Sequence, residues 1–186
     1  MYYHCSPSQG LTLLQPGKPK HFDKDARVYM TTSLPMALMY GVRNFEYTYG
    51  YTKSGQIYFE EYYPDALQKL YAGKKASLYE CAPEVTETTP IPNEVVSSLP
   101  VRILREIHIP DVMQALLEQQ RQGALIIRRY EQLSPAMKEW IFRAELQEVN
   151  KRNLLHTPGP MADYMKHCYP DVWAAAEAKE KYTPEG

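Results

Sequence analysis

The chain has 186 residues, of which 44% are hydrophobic and 23% are charged, and its formal net charge is -1. This size and composition predict a folded protein with one domain, or one domain with a helical appendage. The near-zero charge argues against a strongly electrostatic nucleic-acid binder, and no apolar run approaches the ~18 residues that cross a bilayer. The first residues lack the basic and apolar regions of a signal peptide, so we expect a cytoplasmic protein without a membrane partner.

Candidate strands occupy the first 110 residues, where short apolar runs alternate with glycine and proline. They are Tyr2–Cys5, Val28–Thr31, Ala76–Cys81 and Val101–Ile109. A short strand or helical turn is expected within Gly10–Gly17, and the basic Lys18–His21 that follows is typical of a loop.

A helix is predicted directly after the Val28–Thr31 strand. Ser33 can cap its first turn, Pro35 suits the start of a helix, and Gly41 suits the end. Its apolar face is formed by Met36, Ala37, Met39 and Tyr40.

Sixteen tyrosines, against four phenylalanines and two tryptophans, are the main compositional excess, and many of them fall between positions 44 and 63. A tyrosine has an apolar face and a polar tip, so it suits half-buried surfaces and stacking sites. Here Tyr47, Tyr49 and Tyr51 alternate as on a strand, and a turn at 53–55 leads into a second run at 56–62, which predicts a hairpin. A short helix, Ala66–Tyr71, is expected next.

After Pro110 the pattern becomes helical. Asp111 can cap one helix, Ser134 and Pro135 open another that runs to about Lys151, and Leu125–Tyr130 fits either a strand or a helix. Further helices are predicted at Asp163–Cys168 and Asp171–Lys181. The sequence thus predicts an α+β core at 1–110 and a mainly helical extension at 111–186 packed on that core.

Several kinds of catalytic site are disfavoured by spacing. The three cysteines contain no CxxC pair and the five histidines lie far apart, so we expect reduced thiols and no metal. His4 and Cys5 are adjacent on a predicted strand and point to opposite faces, which argues against a thiol–imidazole pair.

Four segments, taken in order, resemble motifs of the ADP-ribosyltransferase superfamily, especially its poly(ADP-ribose) polymerase and rifampin ADP-ribosyltransferase branches. They are Tyr3–Ser6, Val28–Thr32 followed by Tyr40 eleven residues beyond Tyr29, Leu78–Cys81, and Pro92–Val96 followed by 100–103. The resemblance covers roughly residues 2–109 and implies a split antiparallel β-sheet core.

The same resemblance implies an NAD-dependent mono-ADP-ribosyltransferase that releases nicotinamide and modifies an unidentified protein, nucleic-acid or small-molecule acceptor. It makes Glu94 the carboxylate that stabilises the oxocarbenium-like ribose and orients the acceptor. His4 is expected to hydrogen-bond the adenosine-side ribose of NAD, and Tyr40 to pack against the nicotinamide ribose and ring.

The resemblance implies further contacts to NAD. They come from Cys5, whose place is a glycine in the family, and from Ser6, Tyr29 and a second stacking tyrosine, for which we choose Tyr51 over Tyr47 and Tyr49. In the family the glycine backbone contacts the nicotinamide carboxamide, and a cysteine can do so only if its φ is not positive. Arg27 or Lys18 is a candidate for the pyrophosphate.

Two other functions stay open on the sequence. One is a catalytically inactive module of the same fold that binds a partner through the tyrosine-rich segment and the C-terminal helices. The other is an RNA 2′-phosphotransferase-like enzyme, which is less favoured because the extra basic and histidine residues of that group are not found here. Glu106 and Glu80 are the rival carboxylates to Glu94.

Overall fold

The computed structural model describes residues 1–17 and 25–181 of the chain. The predicted loop Lys18–His21, and with it the candidate Lys18, lies outside the described residues. The chain divides into two compact units: unit 1 is Met1–Tyr58 with Leu67–Ile126, and unit 2 is Phe59–Ala66 with Ile127–Gly186. The α+β class is confirmed, since a large antiparallel sheet is accompanied by several helices.

The described residues form ten strands. Their bounds are β1 Tyr2–Ser6, β2 Leu13–Leu14, β3 Val28–Thr31, β4 Tyr49–Tyr51, β5 Ile57–Glu60, β6 Ala76–Ala82, β7 Glu87–Thr88, β8 Glu94–Ser97, β9 Val101–Ile109 and β10 Ile126–Arg128. Seven of them make one sheet in the order β2-β9-β6-β1-β3-β8-β7, and the other three make a small sheet in the order β10-β5-β4.

Alternation along the strands buries one face of the large sheet. The buried side chains on this face form a hydrophobic core cluster of Leu14, Val28, Met30, Tyr79, Cys81 and Val101. The registers that bring them together are antiparallel and long in range, for example Met30 opposite Val95 and Tyr79 opposite Glu106. This core fixes β1 in the middle of the sheet, between β6 and β3.

Six α-helices complete the described chain. Their bounds are α1 Leu34–Met39, α2 Ala66–Tyr71, α3 Val112–Arg121, α4 Pro135–Lys151, α5 Pro160–Cys168 and α6 Pro170–Lys181. The predicted caps are confirmed: Ser33 accepts from the Met36 N–H, and Asp111 accepts from the Gln114 N–H.

Unit 2 is built around polar and aromatic contacts. The carboxylate of Glu61, which is buried, accepts from the Arg129 guanidinium at 3.0 Å and from the Tyr130 N–H at 3.2 Å. Next to it, three tyrosine rings meet edge to face, with centroids 5.1–6.3 Å apart; these are Tyr63, Tyr164 and Tyr169.

The structure also corrects parts of the sequence interpretation. Leu125–Tyr130 contains strand β10, which resolves the ambiguity there, and α5 begins at Pro160 instead of Asp163. Helix α3 belongs to unit 1, and Val112 at its start donates to the Lys74 carbonyl of the same unit. None of the helices in the described ranges is both long and apolar enough to span a bilayer.

Candidate functional site

A cavity of about 550 Å³ opens beside β1, β3 and α1 within unit 1. This volume lies in the usual range for small-molecule sites. Its lining residues are Tyr3, His4, Cys5, Tyr29, Met30, Thr31, Met36, Ala37, Tyr40, Tyr47, Ile91 and Glu94. The structure therefore brings together His4, Tyr40 and Glu94, which come from three separate parts of the sequence.

The cavity lies where the pairing between β1 and β3 is short. Strand β1 pairs with β6 from Tyr2 to Ser6, whereas its register with β3 is the single pair Tyr3–Thr31. Beyond that pair the His4 side chain joins the two strands, because its Nδ1 lies 2.9 Å from the Tyr29 carbonyl oxygen. Space for a ligand thus arises at the centre of the sheet.

The His4 ring has a defined hydrogen-bonding state. A carbonyl oxygen can only accept, so Nδ1 carries the proton in the contact with Tyr29. Burial lowers the pKa of His4, with the Tyr29 hydrogen bond acting in the opposite direction, so the ring is neutral at physiological pH. In a neutral ring protonated at Nδ1, Nε2 is an acceptor, which suits a hydroxyl donor on a ligand.

Cys5 occupies an ordinary strand position in β1. Its φ is not among the positive values found at non-glycine residues, so the cysteine adopts this backbone without strain. The thiol is 4% exposed, and burial raises its pKa to about 12, which excludes it as a nucleophile at neutral pH. Its sulfur lies close to Gly41, where an added Cβ would come within 2.7 Å of Sγ.

Tyr40 caps the C-terminus of α1 and belongs to a cluster of tyrosines. Its ring lies 4.5 Å from that of Tyr47, centroid to centroid, and the two ring planes are tilted by 31°. Its hydroxyl lies 3.1 Å from that of Tyr49. Burial raises the pKa of Tyr40, and the Tyr49 hydroxyl and the negative charge of Glu94 act in the same direction, so Tyr40 stays a neutral phenol.

Among the described residues that line the cavity, Glu94 is the one carboxylate. It begins β8, is 9% exposed and pairs in register with Thr31 of β3. Its Oε1 accepts from the Thr89 hydroxyl at 2.8 Å. Its Oε2 has no hydrogen-bond partner in the described part of the chain, and it is not one of the fully buried unpartnered atoms there. This oxygen therefore keeps its lone pairs available for a further hydrogen bond.

The other predicted contacts are divided between the cavity and its surroundings. Tyr29 and Cys5 line it, but Ser6 and Tyr51 are outside the set of lining residues. The Ser6 hydroxyl accepts from the Ser8 N–H, and the Tyr51 hydroxyl donates to the Pro92 carbonyl at 2.7 Å. Tyr47, the alternative to Tyr51, is the tyrosine of the hairpin segment on the cavity wall.

The remaining charged candidates have partners outside the cavity. Glu80 forms an ion pair with Arg105 at 2.9 Å, and Glu106 accepts from the Gly10 N–H at 3.0 Å. Arg27 lies 3.8 Å from both Asp25 and Glu87. None of these residues lines the cavity, so Glu94 has no rival carboxylate on its wall within the described residues.

Sequence reasoning missed the apolar half of the wall. This half consists of Met30, Met36, Ala37 and Ile91. Met36 and Ala37 were predicted only as the apolar face of a helix, and periodicity cannot distinguish a side chain that faces the core from one that faces a cavity. Met30 and Met36 give the cavity wall an adaptable, polarizable surface.

The described residues contain no group of three histidine, cysteine, aspartate or glutamate side chains placed to hold a metal ion.

Comparison with protein-family models gives no match for this chain, and comparison with curated proteins gives none either.

Proposed function

We propose that this chain is an NAD-dependent mono-ADP-ribosyltransferase whose donor site is the cavity of unit 1. The observation that carries the proposal is the meeting of His4, Tyr40 and Glu94 on one cavity wall. Each of these residues was expected at the NAD site from the motif in which it lies, and the motifs are far apart in the sequence.

The chemistry of the wall suits the bond that must break. The bond between the nicotinamide nitrogen and ribose C1′ breaks with its electron pair, and the cationic pyridinium leaves as neutral nicotinamide. The positive charge that develops on the ribose is stabilised by a nearby carboxylate, and Glu94 lines the cavity with an Oε2 that has no hydrogen-bond partner among the described residues. The acceptor nucleophile then bonds to C1′, and its proton passes to Glu94 or to solvent.

The other two residues fit parts of NAD that do not react. The neutral His4 ring has Nε2 as an acceptor, which suits a ribose hydroxyl. The Tyr40 ring packs against Tyr47, and both rings line the cavity together with Met36 and Ala37; this aromatic and apolar lining suits the planar nicotinamide.

The charge of the wall weighs against an RNA 2′-phosphotransferase. Both enzymes must bind the pyrophosphate of NAD, but this one must also bind the phosphate of its acceptor, and binding that additional anion favours lysine or arginine. The described residues that line the cavity include no lysine and no arginine, and they include one carboxylate. An acceptor that is neutral or cationic at the reacting atom is therefore favoured.

The test is the release of nicotinamide from NAD by the purified protein, followed by transfer of labelled ADP-ribose to acceptors in a cell lysate. Glu94→Gln keeps the size of the side chain and removes its charge. We expect it to lower the release rate roughly 10²–10³-fold, as is typical when a group that stabilises the transition state is removed. Glu80→Gln is the matched control, since Glu80 lies outside the cavity wall.

Two results decide against the proposal. If the wild-type protein neither releases nicotinamide nor is stabilised by NAD in a thermal-shift titration, the inactive binding module is favoured. If Glu94→Gln retains activity while Glu80→Gln loses it, the carboxylate has been assigned wrongly.

A further inference from the structure

The side chain of Thr89 connects the end of β7 to the carboxylate of Glu94. Its Oγ1 accepts from the Ile91 N–H at 3.1 Å and donates to Glu94 Oε1 at 2.8 Å. A hydroxyl has one proton, and the Ile91 N–H takes up one of its lone pairs, so that proton is directed to the nearest acceptor. The Ile91 carbonyl, at 3.5 Å, is the more distant acceptor.

The backbone on the N-terminal side of the carboxylate is already held by other contacts. The Glu94 N–H donates to the Ile91 carbonyl at 3.2 Å, and the Asn93 carbonyl accepts from the Thr32 N–H at 3.0 Å. What the backbone cannot fix is the rotation of the Glu94 side chain. Among the described residues, the Thr89 hydroxyl is the one hydrogen-bond partner of the Glu94 side chain, and a hydrogen bond to an ionised acceptor is stronger than one between neutral groups.

We propose that Thr89 is a positioning residue for Glu94. It engages Oε1 and thereby keeps Oε2, which has no partner among the described residues, turned to the cavity. This inference rests on the proposed transferase function. Under it, Thr89, which is not among the residues that line the cavity, orients the Glu94 carboxylate. Misplacing a catalytic group by about 1 Å can lower a rate about 10²-fold.

The test compares Thr89→Val, which keeps the shape of the side chain but lacks the hydroxyl, with Thr89→Ser, which keeps the hydroxyl. Thr88→Val is the matched control, because Thr88 is an exposed neighbour in β7. The measurements are kcat and KM for nicotinamide release from NAD, and the thermal stabilisation that NAD produces.

We expect Thr89→Val to lower kcat about 10-fold or more while KM and the NAD-induced stabilisation change less than about twofold, since the lost contact acts on the carboxylate and not on ligand binding. Thr89→Ser should recover kcat to within about threefold of the wild type, and Thr88→Val should match the wild type. If Thr89→Val does not fold, Thr89→Ala takes its place in the same comparison.

Other results overturn the inference. An unchanged kcat in Thr89→Val shows that Glu94 needs no such contact. A rise in KM with a matching loss of thermal stability in both Thr89 variants shows that Thr89 only supports the loop. If the wild type itself releases no nicotinamide, the proposed function fails and the inference fails with it, whereas an active wild type with an active Thr89→Val removes the inference alone.

Discussion

Gly41 follows the end of α1 and lies against Cys5 of β1, and its replacement by alanine tests how these two elements pack. A Cβ at this position would lie 2.7 Å from Cys5 Sγ, 3.0 Å from the Leu38 carbonyl oxygen and 3.1 Å from the Ala76 Cβ. Favourable contacts between heavy atoms lie at about 3.5–4.0 Å. The added methyl group would therefore overlap the sulfur by roughly 1 Å.

The magnitude follows from two opposing effects. Overpacking a buried site lowers the free energy of unfolding by about 1–3 kcal/mol. Replacing glycine by alanine raises it by about 0.4–1 kcal/mol, because the unfolded chain has fewer conformations. We therefore expect Gly41→Ala to lower the free energy of unfolding by about 1–2 kcal/mol. Cys5→Ala removes the overlapping sulfur, so the double variant should be more stable than the sum of the two single effects by at least about 0.5 kcal/mol.

The assay is urea denaturation of the four proteins, with the slope m checked to be the same in each. Gly17→Ala is the control, because a Cβ there would meet no heavy atom of the described chain within 4 Å. A Gly41→Ala protein as stable as the wild type would refute the reasoning. Strict additivity of the Cys5 and Gly41 variants would show that the overlap with the sulfur is relieved in another way.

The free energy of unfolding should also depend on His4 and Asn93. Burial lowers the pKa of His4, so the unfolded chain binds a proton below about pH 6.5 where the folded chain resists it, and this contribution to stability is present above that pH and lost below it. Urea denaturation between about pH 7 and 5 should show this loss, with a smaller dependence on pH in His4→Asn. The same dependence on pH in the wild type and in His4→Asn would contradict the assignment. Asn93 has φ +65°, a backbone conformation that a β-branched residue disfavours. We therefore expect Asn93→Val to lower the free energy of unfolding by about 1–2 kcal/mol and Asn93→Gly to lower it by less than about 0.5 kcal/mol. Equal losses in the two variants would argue against backbone strain at this position.

Local signals predicted much of the fold because they act between near neighbours. The bounds of β3 and β9 agree with the predicted strands, and the N-caps at Ser33, Asp111 and Ser134 form as expected. The two-residue strand β7 carries no such signal, since two exposed residues show no periodicity. Its pairing with β8 depends on tertiary contacts.

The candidate site was less accessible to sequence reasoning. A polar residue at a strand end can face solvent, the core or a ligand. The residues next to Glu94 in the sequence do not distinguish among these three orientations. The choice among the hairpin tyrosines shows the limit: alternation made Tyr47, Tyr49 and Tyr51 equivalent, whereas β4 begins only at Tyr49 and Tyr47 packs on Tyr40 instead.

The amino-acid sequence by itself determined the α+β class, the caps and the bounds of several strands and helices, because hydrophobic period and capping side chains act within a few residues. The tertiary structure alone decided which polar side chains share a wall. His4 of β1 and Glu94 of β8, for instance, are far apart in the sequence and line the same cavity. Such a meeting depends on the order and register of the strands, and these are set by the packing of the whole sheet and not by any local segment.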